Sequence, residues 1–212
     1  MSRRFHSEIL TATQQRALHQ LGPALTRRRC YLGGGTALAL YLGHRRSVDF
    51  DWFTPDTLSD PERLAHDLRG QGIRFLTTAV APGTLSGTVS RIRVTVMNYG
   101  YPLLRPLRTW AEYGCRVAAL ADLAAMKLLA LAQRGSKKDF VDIHALSQQP
   151  ISLQQMLRWY RKKFAISDTA HLLYSLVYFD DAEHERMPTM LRTINWPAIK
   201  KDLRAWVTHT SR

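Results

Sequence analysis

Acidic residues and cysteines are scarce in this chain, and it has no long apolar run. Against 30 lysines and arginines stand only 17 aspartates and glutamates, which leaves a formal net charge of +13 over 212 residues. An excess of that size exceeds what solubility requires and points to a polyanionic partner, nucleic acid or nucleotide phosphate. The two cysteines, Cys30 and Cys115, lie far apart and match no zinc spacing. That excludes a disulfide scaffold and a structural zinc site, and reads as a pair of reduced thiols. Met1 to Leu10 lacks the apolar core of a secretory signal, and the longest apolar tract, Val117 to Ala132, is broken by Asp122 and Lys127. A membrane span is disfavoured on both counts, and the expectation is a cytoplasmic protein with no membrane partner. Internal repeats and low-complexity segments are also missing.

What the chain does have is a dense stretch from Tyr31 to Phe53, YLGGGTALALYLGHRRSVDFDWF. It reads as a short strand, a glycine turn, an apolar helix, a basic turn and a second strand. Strand side chains alternate, so Ser47, Asp49 and Asp51 are expected on one face and Val48, Phe50 and Trp52 on the other. Carboxylates on neighbouring same-face positions, roughly 5 to 7 Å apart, repel by about 2 to 3 kcal/mol at an effective dielectric near 20. A divalent cation removes that repulsion, which makes Asp49 and Asp51 candidate metal ligands. The turn Gly34-Gly35-Thr36 lies between strand and helix, where free N–H groups and the helix N-terminus can cradle phosphate. It is neither a dinucleotide fingerprint nor a P-loop, and a plain tight turn is the alternative.

Around this stretch the chain divides into two parts. Thr11 or Thr13 can cap an opening helix over Thr13–Leu21, ended by Gly22-Pro23. Arg27, Arg28 and Arg29 form a basic cluster that is either solvated or in contact with phosphate. Asp60-Pro61 starts a helix reaching Arg69, and Ile73–Val80, Thr84–Val89 and Ile92–Met97 read as strands. Tyr99–Pro106, with its glycine and two prolines, is a connection. Beyond it, helical spacing recurs over Val117–Arg134, Lys138–Leu146, Leu153–Lys163, Thr169–Phe179 and Pro197–Val207. The fold class is therefore α+β: an N-terminal lobe of mixed sheet and helices over residues 1–112, then a helical bundle over residues 113–212 that completes the site.

The helical part carries further candidates. Lys127 and Arg134 share a helix face, either snorkelling to water or gripping a triphosphate. In Lys137-Lys138-Asp139-Phe140-Val141-Asp142, the two aspartates share another face; Asp139 suits the helix N-terminus, and Lys138 with Asp142 has the spacing of an ordinary ion pair. His44, Arg45 and Arg46 precede the carboxylate strand, where they could orient phosphates or an RNA end, with His44 equally suited to a helix C-terminus favoured by the dipole.

Taken in order, these residues resemble a known family. Gly34-Gly35-Thr36 followed by Asp49-Phe50-Asp51 is similar to the first motif of the nucleotidyltransferase toxins of the AbiEii/AbiGii abortive-infection type, a branch of the DNA polymerase β-like superfamily. Lys127 to Arg134 resembles their second motif, Arg134 through Lys138-Asp139 to Asp142 their third, and Tyr178 to Glu183 an acidic segment near their C-terminus. The resemblance implies a polymerase β-like lobe and transfer of a nucleoside monophosphate from a nucleoside triphosphate, with Mg²⁺, to an acceptor such as the 3′ end of tRNA. It also implies a partner antitoxin encoded nearby. On this basis Asp49 and Asp51 hold Mg²⁺; Gly34, Gly35, Thr36, Arg134, Lys138 and Asp142 contact nucleotide or phosphate; Lys127 and Asp139 join the two aspartates as catalytic residues. Ser47, expected on the strand face of both aspartates, is a further candidate for a nucleotide or phosphate contact, with an ordinary turn hydroxyl as the alternative. Two-metal phosphoryl transfer usually employs a third acid, commonly from a neighbouring strand in that superfamily. Here Arg91, Arg93 and Thr95 share one strand face and Ile92, Val94 and Val96 the other, without a carboxylate. Asp139 is the expected substitute, close enough with Asp142 to share an ion or its water shell with Asp49 and Asp51.

Three other readings compete. A nucleic-acid-binding or partner-binding module on a catalytically inactive scaffold accounts for the missing acid. The same transfer to a small-molecule or protein hydroxyl is the second. A metal-dependent nuclease also suits acidic clusters on a basic surface, although the glycine turn and the Lys127–Arg134 pair fit a triphosphate better.

Overall fold

A computed structural model describes residues 5–210 of the chain. Thr11 caps the first helix, α1 (Ala12–Thr26), and forms a reciprocal capping box with Gln14. The helix does not stop at Gly22-Pro23 but runs through both. Gly22 serves close packing instead: a Cβ there would come within 2.0 Å of the Tyr113 carbonyl oxygen.

β1 (Tyr31–Gly33) is buried throughout, and the chain turns directly into α2 (Gly34–Leu42), which ends at Gly43 in the left-handed region. β2 (Phe50–Thr54) returns antiparallel to β1, with Leu32 opposite Trp52 and Gly33 opposite Asp51. Asp60 caps α3 (Pro61–Gly70), and proline occupies its first position as the sequence indicates. β3 (Phe75–Ala81), β4 (Thr84–Val89) and β5 (Ile92–Asn98) form an antiparallel meander. β5 lies parallel to β2, with Asp51 beside Thr95.

Two strands that no periodicity announced extend the sheet: β6 (Arg108–Trp110) and β7 (Cys115–Val117), the latter parallel to β1. The seven-stranded order among the described residues is β3-β4-β5-β2-β1-β7-β6, a mixed sheet that continues past residue 112. Val117, expected to open a helix, is a strand residue; α4 (Leu120–Arg134) begins three positions later. α5 (Lys137–Ser147), α6 (Leu153–Phe164), α7 (Ala170–Ser175), α8 (Asp180–Glu183) and α9 (Trp196–Thr210) follow. The helix expected over Thr169–Phe179 is thus shorter, and it ends at Ser175.

The helices and the sheet share one apolar core, reaching from Leu18, Leu38 and Trp52 to Phe140, Leu146 and Tyr160. Asp122, the acid that interrupts the long apolar tract, is fully buried. It accepts from Lys163 Nζ of α6 at 2.7 Å and from the Leu104 and Arg105 amides at 2.9 and 3.2 Å. A buried charge is tolerated only when paired and hydrogen-bonded, so this aspartate pins the connection and α6 onto α4. Among the described residues, no helix is long and apolar enough to cross a membrane.

Candidate active site

The β1–α2 turn is built around the second strand's carboxylate. Gly34 has φ +63°, and a Cβ on it would sit 2.2 Å from Asp51 Oδ2. Any other residue would be strained in that backbone region and would displace the carboxylate. Gly35 makes equivalent room for Arg45, whose Nη2 lies 2.7 Å from the position of a Cβ there. The buried Thr36 hydroxyl donates to the Asp49 carbonyl oxygen, fastening the lead into β2. Gln14 Nε2 donates to the Ser47 carbonyl at 2.7 Å, so the residue that completes the α1 cap also holds the approach to the aspartates.

These elements open onto a cavity of about 420 Å³. Asp49 and Asp51 line it together with Gly35, Ser47 and Val48 from the first segment and Lys127, Arg134 and Lys138 from the helical part. Arg45, Arg46 and Arg93 raise the cationic side chains to six against two carboxylates. Of the residues singled out in the sequence, Gly35, Ser47, Asp49, Asp51, Lys127, Arg134 and Lys138 line this cavity, whereas Gly34 and Thr36 do not. β2 begins only at Phe50, so strict alternation does not reach back to Val48, which is 62% exposed and joins the cavity wall while Phe50 and Trp52 are buried.

Asp139 and Asp142 are placed differently from expectation. Both are completely buried, and neither lines the cavity. Asp139 accepts from Arg134 Nε and Nη2 at 2.7 and 2.9 Å, from Ser136 Oγ at 2.7 Å and from Lys127 Nζ at 3.1 Å. Asp142 meets Lys127 Nζ at 2.7 Å, Arg45 Nε and Nη2 at 2.7 and 2.9 Å, and His44 Nε2 at 2.8 Å. Their oxygens are saturated by cations and donors. Among the described residues, no three His, Cys, Asp or Glu side chains come together as a metal-binding group. The expectation that either aspartate shares an ion with Asp49 and Asp51 is thus corrected: they position Lys127, Arg134 and Arg45. Nor is Lys138 the ion-pair partner of Asp142; it is exposed at the cavity.

The charge states follow from these surroundings. Burial alone would push the Asp142 carboxyl up, but the Lys127 and Arg45 charges and the His44 bond hold it well below the usual carboxylate range. Asp139 is likewise held low against its burial, chiefly by the Arg134 bonds. Burial pushes His44 down, so its imidazole is neutral, and with an ionised partner that only accepts, Nε2 is the donor. Asp51 shows the opposite balance. Burial pushes its carboxyl up, Lys127 pulls it back and the neighbouring Asp49 charge pushes it up again. Asp49 itself carries a bidentate guanidinium, with Arg93 Nε and Nη2 at 2.7 and 2.9 Å.

One wall carried no recognisable signal in the sequence. Met187, Pro188 and Thr189, from the irregular segment between α8 and α9, line the cavity beside the turn that leads into the strand carboxylates. Backbone bonds hold the segment there, from the Arg46 amide to the Thr189 carbonyl at 2.8 Å and from the Leu191 amide to the His44 carbonyl at 2.9 Å. Arg27, Arg28 and Arg29 lie elsewhere, at the opposite end of β1, paired with Gln71, Asp67 and Asp56.

The family model for the nucleotidyl transferase AbiEii toxin, type IV TA system, matches residues 16–105 and 57–208. An uncharacterised protein of Aquifex aeolicus (strain VF5) is 37% identical over 158 residues, which cover 73% of this chain and 76% of the relative. MenT4, a nucleotidyltransferase toxin from Mycobacterium tuberculosis H37Rv, is similar in structure with a TM-score of 0.59 at 18% identity, over 92% of this chain and 82% of its own. JHP933 from Helicobacter pylori gives a TM-score of 0.57 at 14% identity, over 97% and 92%. At those identities the two structures bear on the fold.

Proposed function

The chain belongs to the AbiEii family of nucleotidyltransferase toxins, and from that premise we propose that it transfers a nucleoside monophosphate from a nucleoside triphosphate to an RNA hydroxyl, such as the 3′ end of tRNA, with Mg²⁺ bound by Asp49 and Asp51. The observation that carries this reading is one cavity in which two neighbouring carboxylates face Lys127, Arg134, Lys138 and Arg45. Cations alone would suit any polyanion. The carboxylates beside them suit a polyanion that arrives with a metal ion.

The donor set fits such an ion. Mg²⁺ is usually held by one or two carboxylates, with phosphate oxygens and water completing its shell. The raised Asp51 carboxyl, pressed against Gly34 and beside a second acid, is a group whose ionised form a cation would stabilise. When bound, Mg²⁺ supplies charge neutralisation on the triphosphate and polarisation of its reacting phosphoryl group.

The remaining work belongs to the protein's own side chains. Lys127 is only 5% exposed, and its Nζ is fixed by Asp139 and Asp142, so it presents a preorganised charge to the phosphates. Arg134 is steered by both Asp139 oxygens while its side chain remains 52% exposed, free to meet the same phosphates. Lys138, Ser47 and the Gly34-Gly35-Thr36 backbone complete the phosphate contacts. The exposed Arg46 and Arg93 at the cavity, on a chain of net charge +13, favour an RNA acceptor. An antitoxin partner and action in the cytoplasm belong to the same proposal.

Incubation with total tRNA and each α-labelled triphosphate separately is the direct test. Label should enter tRNA with Mg²⁺ and fall at least about 100-fold in Lys127→Ala, the scale for losing one preorganised electrostatic contact. It should disappear in Asp49→Ala/Asp51→Ala. Native-rate labelling by that double variant would refute the carboxylate assignment, and label appearing on protein or a small molecule instead would refute the RNA acceptor.

A further inference from the structure

Asp49 does not face the cavity alone. The parallel register of β2 and β5 pairs Phe50 with Val94 and Asp51 with Thr95, so the residue beside Asp49 is Arg93. Val94 and Val96 point into the core, and Arg93 and Thr95 stand on the opposite, cavity side of β5. That side is where a third strand carboxylate would stand beside the first two, and it holds a guanidinium bonded to both Asp49 oxygens, at 2.7 and 2.9 Å.

From this we infer that Arg93 restricts the site to a single divalent ion, its fixed charge standing where a second ion would need a ligand. The inference rests on the metal-dependent reading above. Paired divalent ions in phosphoryl-transfer sites lie about 3.5–4 Å apart and share carboxylates. Among the described residues only Asp49 and Asp51 are available at the cavity, because Asp139 and Asp142 are buried and saturated. A second ion near Asp49 would also meet a guanidinium that cannot lose its proton. The fork engages each Asp49 oxygen from one side and leaves lone pairs on the other for one ion shared with Asp51. Fold stability does not explain the pair. Arg93 is 71% exposed and Asp49 33%, and ion pairs so open to solvent contribute little.

The test counts Mn²⁺ ions on the full chain with a non-hydrolysable triphosphate analogue, by equilibrium dialysis and electron paramagnetic resonance. The wild-type protein should bind one Mn²⁺ per chain with an uncoupled spectrum. Arg93→Asp, which supplies the missing acid at an exposed position, should bind two with a spin-coupled spectrum. Arg93→Gln, which removes the charge without adding a ligand, should keep one ion and bind it about 2- to 5-fold more tightly, the scale expected for removing one adjacent exposed charge. A coupled pair in the wild type, a single ion in Arg93→Asp, or unchanged Mn²⁺ affinity in Arg93→Gln would each overturn the inference while leaving the metal-dependent reading intact. No bound Mn²⁺ in the wild type, with or without the analogue, would overturn both.

Discussion

Replacing Asp142 tests whether the saturated aspartates are structural supports. Its carboxylate has no solvent exposure and holds Arg45, Lys127 and His44, joining α5 to the turn before β2 and to α4. Asp142→Asn keeps the volume but leaves Arg45, 4% exposed, with half its acceptor and without the charge bonded to it. Lys127 keeps its bond to Asp139, at 3.1 Å. Breaking a buried ion pair from one side costs about 3–5 kcal/mol. At roughly 2–4 °C per kcal/mol for a chain of this size, Tm should fall by about 6–20 °C at pH 7. The acid limb adds a second signature. Because the folded carboxyl lies well below its ordinary value of 3.8, its contribution is complete above that value and is lost as pH falls through the folded one. The variant's stability should therefore depend less on pH below about 4 than the wild type's. Urea and thermal melts between pH 2 and 7 would measure both effects. A loss below about 1 kcal/mol with an unchanged acid limb would refute the argument.

Two further substitutions separate function from fold. Gly34→Ala should lose Mn²⁺ binding and about 1–3 kcal/mol of stability, because the new Cβ meets Asp51 Oδ2 and the backbone stays at φ +63°; isothermal titration and melts measure the pair of effects, and wild-type metal affinity would refute the packing argument. Asp51→Asn should abolish Mn²⁺ binding yet raise Tm of the metal-free protein by a few degrees, since burial makes the folded state hold the Asp51 proton more tightly than the unfolded chain does, a cost that grows as pH rises through the folded value and persists at neutral pH; calorimetry without metal would show a lower Tm if that cost is absent.

Which of these features a sequence reveals depends on how local their causes are. The Asp60-Pro61 start of α3 and the Thr84–Val89 strand follow from residues adjacent in the chain, and both were legible. So was the pairing of the glycine turn with Asp49 and Asp51, because only one helix separates them. β6 and β7 were not, since three residues carry no period and each exists through its sheet partners. Pro23 was misleading for a related reason: a local helix-breaking signal was overridden by the packing of Gly22 on Tyr113. The spacing placed Asp139 and Asp142 on one helix face, but their saturation was not legible, because Arg45, which holds Asp142, lies 97 residues away.

The four aspartates of the motifs therefore divide by what surrounds them rather than by where they fall in the motif. Asp139 and Asp142 are buried among cations that hold them ionised, and their bonds fix the direction of Lys127, Arg134 and Arg45. Asp49 and Asp51 remain at the cavity, one shared with a solvent-exposed arginine and the other pushed by burial toward its protonated form. A network complete within the protein has nothing further to bind, whereas the strand pair still faces an open cavity. Lys127 links the two sets, since its Nζ is held from behind by both buried carboxylates while the side chain lines the cavity that Asp49 and Asp51 share. The Arg46–Thr189 and Leu191–His44 backbone bonds close the same turn from the C-terminal side. Cavity shape and charge are consequently set together by the turn over residues 44–46, so a disturbance of Asp142 should weaken metal-dependent nucleotide binding without touching a ligand.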